Sequence, residues 1–194
     1  VIEIDHDRTA FYVADAMGHG VPAGLITILV KKGVQPFELN GGRRALSPSE
    51  VLGRLNRDLL DQNLSENPFI TMCYFVLHRS DLRLELARGG HPHPLLLRGG
   101  APIAELRAEG GLLGVFETEF PTTTHRLAPG DKVLTYSDGV DAVVFQGRRP
   151  GVESFRACVE AHQDLPIDEL IEAVYQELFP TRRHDDDLTL LGLE

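Results

Sequence analysis

Thr9 to Asp15 (TAFYVAD) is a β-branched and aromatic run, bounded upstream by the charged turn Asp5-His6-Asp7-Arg8. It predicts a buried strand that ends on Asp15. Met17-Gly18-His19-Gly20 then predicts a turn, in which Gly18 and Gly20 permit positive φ; His19 either orders the turn, the favoured reading, or donates a hydrogen bond near a substrate. Pro22 suits the first position of a helix, where its missing N–H costs nothing. Ala23 to Lys32 continue that helix, with Leu25, Ile28 and Leu29 expected in its core face. Pro36 to Leu46 (PFELNGGRRAL) is interrupted by Gly41-Gly42 and is expected to be a loop or mobile flap. A second helix starts at Ser47-Pro48-Ser49-Glu50, with Ser47 as cap and Glu50 closing a capping box. It is expected to run to about Leu64 and to present Val51, Leu52, Leu55, Leu59 and Leu60 on one side.

After Pro68 the period changes from helical to alternating. Phe69–His78, Arg83–Ala87 and Leu95–Arg98 read as successive strands of an antiparallel meander, with short turns between them. Further strands are expected at Ile103–Arg107, Phe120–Leu127 and Lys132–Ser137. Helices fit Val152–His162 and Ile167–Leu178, where Asp168 and Glu169 suit a helix N-terminus. Asp187 leads into a last strand, Leu188–Leu193. No internal repeat or low-complexity tract is seen. Strands in the middle and helices towards both ends predict the α+β class, a layered sheet core with helices outside.

At 194 residues the chain fits a single domain. Its 42% hydrophobic and 25% charged residues are ordinary for a globule that buries about 70% of its unfolded surface. A formal charge of −10 disfavours a broad nucleic-acid interface. The longest uncharged apolar stretch, Val21 to Val30, contains Pro and Gly and falls far short of the roughly 20 residues a bilayer span requires. Cys73 and Cys158 are the only cysteines, too few for a disulfide framework, which favours a reducing, cytoplasmic compartment and unlinked thiols in the core. Val1 to Asp7 lacks the basic region of a secretory signal. The absence of a starting Met leads to the expectation that residues 1–194 are a single domain, an N-terminally incomplete fragment of a longer regulatory protein.

Three acidic sites share one context. Asp15 ends a strand before a glycine turn, Asp138 ends a strand before Gly139, and Asp185-Asp186-Asp187 precede the last strand. Loops at strand ends are where sites are built. Carboxylates brought within about 4 Å repel by about 4 kcal/mol per pair at an effective dielectric near 20. A divalent cation removes that repulsion, and an all-oxygen donor set matches hard ions such as Mg²⁺ or Mn²⁺. Taken alone, Asp15 or Asp138 is more often a turn former than a ligand, and the acidic triplet reads equally as a solvated loop neutralised by Arg182, Arg183 and His184. His91 and His93 alternate along an extended segment and so invite a zinc site, but no third ligand is nearby, which favours a structural role.

Four segments in order, ADAMGHGVPAGL (Ala14–Leu25), RGGHPHPLLLR (Arg88–Arg98), LAPGDKVLTYSDGV (Leu127–Val140) and DDDLTLL (Asp185–Leu191), resemble bacterial PP2C-like (PPM) serine/threonine phosphatase domains of the SpoIIE/RsbU type. The resemblance covers nearly the whole chain. It implies a PP2C-like α/β-β/α sandwich, two antiparallel sheets packed face to face and flanked by helices, with a binuclear Mn²⁺ or Mg²⁺ site. Carried over by motif, Asp15 resembles the carboxylate that bridges the metals and Ala16 supplies a backbone carbonyl. Asp138 and Asp186 resemble ligands of the second metal, and Asp187 the adjacent polar position. A water held between cations roughly 3.5–4 Å apart would attack phosphorus in line, with no phosphoenzyme. Members also carry an Asp in a Gly-Asp-aromatic motif upstream of the position of Val1, so the first metal lacks one carboxylate within these residues. Met17 and Val143-Val144 are looser matches that leave the ligands intact.

The function implied is hydrolysis of phosphoserine or phosphothreonine on a STAS anti-anti-sigma-type protein, under control of an upstream sensor or receiver domain, with no nucleic acid and no membrane span. A degenerate phosphatase-like module acting as a partner-binding adaptor in signalling is the alternative. An unrelated metal hydrolase or cyclase would need nucleotide-cradling glycines that the sequence does not show.

Overall fold

A computed structural model of the chain describes residues 1–18, 20–38, 43–62, 68–142, 151–178 and 188–194. The elements in chain order are β1 (Ile2–Glu3), β2 (Arg8–Ala16), α1 (Val21–Gly33), β3 (Phe37–Glu38), β4 (Arg44–Ala45), α2 (Pro48–Asp61), β5 (Ile70–His78) and β6 (Arg83–Gly89). They continue with β7 (Leu95–Leu97), β8 (Ala104–Glu105), β9 (Thr123–Arg126), β10 (Lys132–Tyr136), α3 (Gly139–Ala142), α4 (Gly151–His162), α5 (Ile167–Leu178) and β11 (Leu190–Leu193). The chain divides into two compact units, Val1–His91 with Ala108–Leu127, and Pro92–Arg107 with Ala128–Glu194.

The first unit is built on an antiparallel sheet of order β1-β2-β5-β6-β9. Strands β2 and β5 pair without interruption from Arg8 opposite His78 to Ala16 opposite Ile70. One face of this sheet meets the two helices: Ala10, Met72, Tyr74 and Val76 pack with Ile26 and Val30 of α1 and with Val51, Leu52, Leu55 and Leu59 of α2. On the other face Phe11 and Phe75 stack with ring centroids 4.6 Å apart, and Val13 and Cys73 are buried beside them. Burial pushes the Cys73 thiol up to about 12, the behaviour of a core residue and not of a nucleophile.

The apolar stripe of α1 falls on Ile26 and Val30, four residues apart, whereas Leu25 and Ile28 are 58% and 53% exposed. The expected core positions Leu25 and Ile28 are therefore on the wrong side of this helix. Of the stripe expected on α2, Val51, Leu52, Leu55 and Leu59 are buried and Leu60 is only half-buried, and the buried side also carries the polar Asn56. Its Nδ2 donates to the Phe116 carbonyl (3.0 Å) and its Oδ1 accepts from the Gly114 N–H (2.8 Å). Ser47 caps α2 through both halves of the capping box: Ser47 Oγ accepts from the Glu50 N–H, and Glu50 Oε2 accepts from the Ser47 N–H at 2.8 Å.

The segment expected to be a loop at 36–46 instead contributes the short pair β3–β4. The reason is electrostatic, and it reaches from this segment to α2. Arg44 bridges Glu38 (2.7 Å) and Glu50 (2.9 Å), Arg54 pairs with Glu38, and the Leu46 N–H closes on the Pro36 carbonyl. Gly41-Gly42 lie outside the described residues.

The second unit holds an antiparallel sheet of order β11-β10-β7-β8. Leu95, Leu97, Leu134 and Tyr136 pack with Phe155 and Val159 of α4 and with Leu170, Val174 and Leu178 of α5. Tyr136 and Phe155 sit with ring centroids 4.6 Å apart. The expected meander holds for β5 and β6 only, because β7 pairs with β10 in this second sheet. Pro92 and Pro94 in the connection have no N–H to donate to a continuing ladder. Pro121 similarly delays the start of β9 relative to the expected Phe120. At the β7 and β10 ends, Arg98 Nε donates to Asp131 Oδ1 (2.8 Å), and Asp131 Oδ2 accepts from the Ala128 N–H (2.8 Å). Among the described residues no helix is long and apolar enough to cross a membrane.

Two stability measurements follow from these contacts. In urea denaturation, Ser47→Ala should cost about 1 kcal/mol, the usual worth of a cap. Asn56→Ala, which removes the side-chain partner of the Phe116 carbonyl and of the Gly114 N–H together, should cost about 1–3 kcal/mol. The second concerns Asp131, whose carboxyl is held below its ordinary value of 3.8, first by the Arg98 hydrogen bond. A depressed carboxyl contributes its stability above the ordinary value and loses it as pH falls through the folded one. Asp131→Asn should therefore flatten the dependence of unfolding free energy on pH below the ordinary carboxyl value of 3.8, relative to the unsubstituted protein.

Candidate metal centre

Asp15 is the penultimate residue of β2, placed there by the ladder in which it stands opposite Thr71. Alternation along the strand puts its side chain on the face of Phe11 and Val13, the face turned away from α1 and α2. It is half-buried, unlike its neighbours Phe11 and Val13. The Met17 N–H donates to the Phe69 carbonyl, while the Ile70 N–H is spent on the Leu113 carbonyl. Antiparallel alternation then directs the Ala16 carbonyl away from β5, so Asp15 and Ala16 offer two oxygen donors at the end of one strand.

The chain turns immediately afterwards. Gly18 and Gly20 have φ of 94° and 79°, a region that side chains with a Cβ rarely adopt, and Gly20 is the N-cap of α1. Tight reversal is thus secured by the glycines. His19, expected to order this turn, lies outside the described residues.

Three residues brace the Asp15 end of the sheet that the sequence did not single out as functional. Thr71 Oγ1 lies 2.9 Å from Nδ1 of His91, which is 1% exposed. Arg88 Nη1 donates to the His91 carbonyl (2.8 Å) and Nε donates to the Ala108 carbonyl (2.7 Å). The Gly-Gly-His-Pro turn is therefore clamped by the guanidinium of the arginine that precedes it. The structural reading of His91 agrees with this, and among the described residues neither His91 nor His93 joins a cluster able to hold a metal ion.

In the second unit, Asp138 is exposed and occupies the turn between β10 and the single helical turn α3. The residue before it is fixed firmly. Ser137 donates its N–H to the Thr189 carbonyl (3.0 Å), and its Oγ accepts from the Thr189 N–H (2.9 Å). This continues the β10–β11 ladder, whose last register pair is Tyr136 opposite Leu190. Asp185, Asp186 and Asp187 lie outside the described residues, as do Arg182, Arg183 and His184. In sequence, Asp186 precedes Thr189 by three positions. Asp15 and Ala16 thus stand together, and Asp138 stands beside the start of the strand that the acidic triplet leads into.

The donors described at Asp15, Ala16 and Asp138 are carboxylate and carbonyl oxygens. That chemistry fits a hard divalent ion such as Mg²⁺ or Mn²⁺ and does not favour zinc or copper.

Comparison with known proteins adds to this geometry. The profile of the family described as Stage II sporulation protein E (SpoIIE) matches residues 5–194. The phosphoserine phosphatase RsbU of Bacillus subtilis (strain 168) is 26% identical over 97% of this chain and 56% of its own length. The chain therefore spans little more than half of that relative. The SiaA-PP2C domain of Pseudomonas aeruginosa superposes with a TM-score of 0.79 at 23% identity, over 97% of this chain and 76% of that one. The catalytic domain of the serine/threonine protein phosphatase PstP, solved in complex with 2 manganese ions, gives a TM-score of 0.60 at 16% identity over 99% of this chain and 92% of that one. Both solved structures establish the fold as the α+β architecture of PP2C domains.

Thr71→Val should destabilise the protein by about 1–3 kcal/mol in urea denaturation, because the buried His91 ring loses a partner. Thr71→Ser, which keeps the hydroxyl, should cost less than half of that.

Proposed function

We propose, on the premise that this chain belongs to the Stage II sporulation protein E (SpoIIE) family, that it is a metal-dependent phosphatase acting on phosphoserine or phosphothreonine of a regulatory protein. The observation that carries the reading is that Asp15 and Asp138, the two carboxylates whose motifs match and whose backbone is described, each stand where a buried antiparallel ladder ends. Side chains at such places are held by the sheet yet reach solvent, as a site that admits a phosphoprotein requires.

Asp15 with the Ala16 carbonyl, Asp138 and Asp186 are the residues that would hold the ions. A pair of hard divalent ions, when bound there, supplies an acidified water for in-line attack and offsets charge on the phosphoryl oxygens. The chain's own part is positional. Asp15 is fixed by pairing with β5, and the backbone before Asp138 by two hydrogen bonds to Thr189. None of the three carboxylates acts as a nucleophile, and no phosphoryl group passes to the protein. The donor set spends its negative charge on binding cations, which also relieves the mutual repulsion that ionised carboxylates in one site would suffer.

The substrate we assign is a phosphorylated STAS anti-anti-sigma-type protein, with residues 1–194 forming one catalytic domain and an upstream sensor or receiver domain setting its activity in the cytoplasm. Similarity to RsbU, named a phosphoserine phosphatase, supports the reaction class. The −10 formal charge fits a protein substrate better than a nucleic acid.

The test is manganese-dependent hydrolysis of an aryl phosphate and of phosphoserine peptides by the full-length protein. Asp15→Asn and Asp138→Asn should each lower the rate by roughly 100-fold or more while leaving the fold intact. Undiminished activity in both variants would remove the proposed roles. Absence of any hydrolysis by the unsubstituted protein, with retained binding of a partner, would assign it to the adaptor class instead.

A further inference from the structure

Helices α4 and α5 bring together three side chains that the phosphatase reading does not use. Cys158 and His162 are four residues apart, on one face of α4, and Glu177 lies in the last turn of α5. One ligand atom from each lies within 4.8 Å of the other two, and among the described residues this is the one such grouping of His, Cys, Asp and Glu. His162 Nε2 and Glu177 Oε2 are 3.0 Å apart. We propose that Cys158, His162 and Glu177 form a binding site for a single borderline divalent cation of the zinc type, separate from the oxygen-donor carboxylates Asp15 and Asp138.

The chemistry selects the ion. Thiolate and imidazole favour Zn²⁺ over Mg²⁺ or Mn²⁺, the reverse of an all-oxygen set. Tetrahedral coordination at ordinary Zn–S, Zn–N and Zn–O lengths places ligand atoms roughly 3.3–3.7 Å from one another. The three ligand atoms already lie within 4.8 Å of one another, so small side-chain movements would close the remaining gap. Burial supports the same geometry: Cys158 is 5% exposed, while the His162 and Glu177 side chains are 29% and 53% exposed. Sulfur thus sits at the base of the site, and its outer side opens to water, which completes the fourth position.

Without an ion, burial and then the neighbouring Glu177 carboxylate push the Cys158 thiol up to about 12. The thiol is therefore protonated and inert at neutral pH. Coordination removes that proton to solvent and replaces the thiol–carboxylate contact with two metal bonds. The bound ion would tie the end of α4 to the last turn of α5. Glu177 precedes Asp186 by nine positions in sequence, so the clamp would brace the helix from which the acidic triplet continues.

The probe is cobalt(II), which reports a thiolate ligand by a charge-transfer band in the near ultraviolet. One equivalent added to the full-length protein should produce that band, and one equivalent of zinc should abolish it. The band should be absent from Cys158→Ser and retained in Cys73→Ala. Because Cys158 is buried, two variants at exposed donors provide an independent reading: His162→Gln and Glu177→Gln should each weaken zinc binding at least tenfold in a chelator competition. No band from the unsubstituted protein, a band unchanged in Cys158→Ser, or zinc affinity unchanged in both His162→Gln and Glu177→Gln would overturn the proposal. Repeating the titration in Asp15→Asn separates it from the phosphatase site, since the cobalt band should persist there whether or not hydrolysis is lost.

Discussion

The register of β2 against β5 is the constraint on which the rest of the first unit depends. Because side chains alternate, a slip of one residue would exchange the two faces of the strand. Ala10 would leave the helix-facing core, Phe11 would lose its stacked partner Phe75, and Asp15 would turn from the face of Val13 towards α1 and α2. Each of these exchanges is unfavourable, so the apolar residues of the strand interior determine where the acidic residue at its end is presented. The β10–β11 ladder has the same role in the second unit. Its pairing sets Ser137 against Thr189, residues 52 apart in sequence, and thereby places Asp138 beside the start of the last strand.

Much of this was legible before any coordinates. The strand ending at Asp15, the capping box at Ser47 and the helix Ile167–Leu178 are local signals: a β-branched run, a reciprocal hydrogen-bonding pair and an amphipathic period. Such features are encoded within a few residues and need no knowledge of what they pack against. The candidate ligands Asp15, Ala16 and Asp138 were legible for a different reason, because four motifs kept their order along the chain.

The misread features are non-local. Leu25 and Ile28 are as apolar as Ile26 and Val30, and only the packing of α1 against α2 and the sheet decides which pair is buried. The departure of β7 from the first sheet depends on its partner β10, some 35 residues on. The β3–β4 pair is held by Arg44 and Arg54 acting on Glu38 across two elements, where the sequence displayed only a glycine-rich interruption. Arg88 lay inside a recognised motif, yet its clamp on the His91 carbonyl has no sequence signature. Cys158, His162 and Glu177 were invisible as a group for the same reason: two of them share a helix face, and the third comes from another helix. The two proposed cation chemistries thus differ in legibility as well as in donor type, one written in ordered motifs and the other only in the packing of two helices.

The most direct measurement on the oxygen-donor centre is the thermal unfolding midpoint of the full-length protein followed through a manganese titration. An ion bound only by the folded form raises that midpoint as RT ln(1 + [Mn²⁺]/Kd) requires. The midpoint should climb with manganese in the unsubstituted protein and stay level in Asp15→Asn and in Asp138→Asn. An equal rise in all three proteins, or no rise in the unsubstituted one at millimolar manganese, would contradict the assignment of these carboxylates as its ligands.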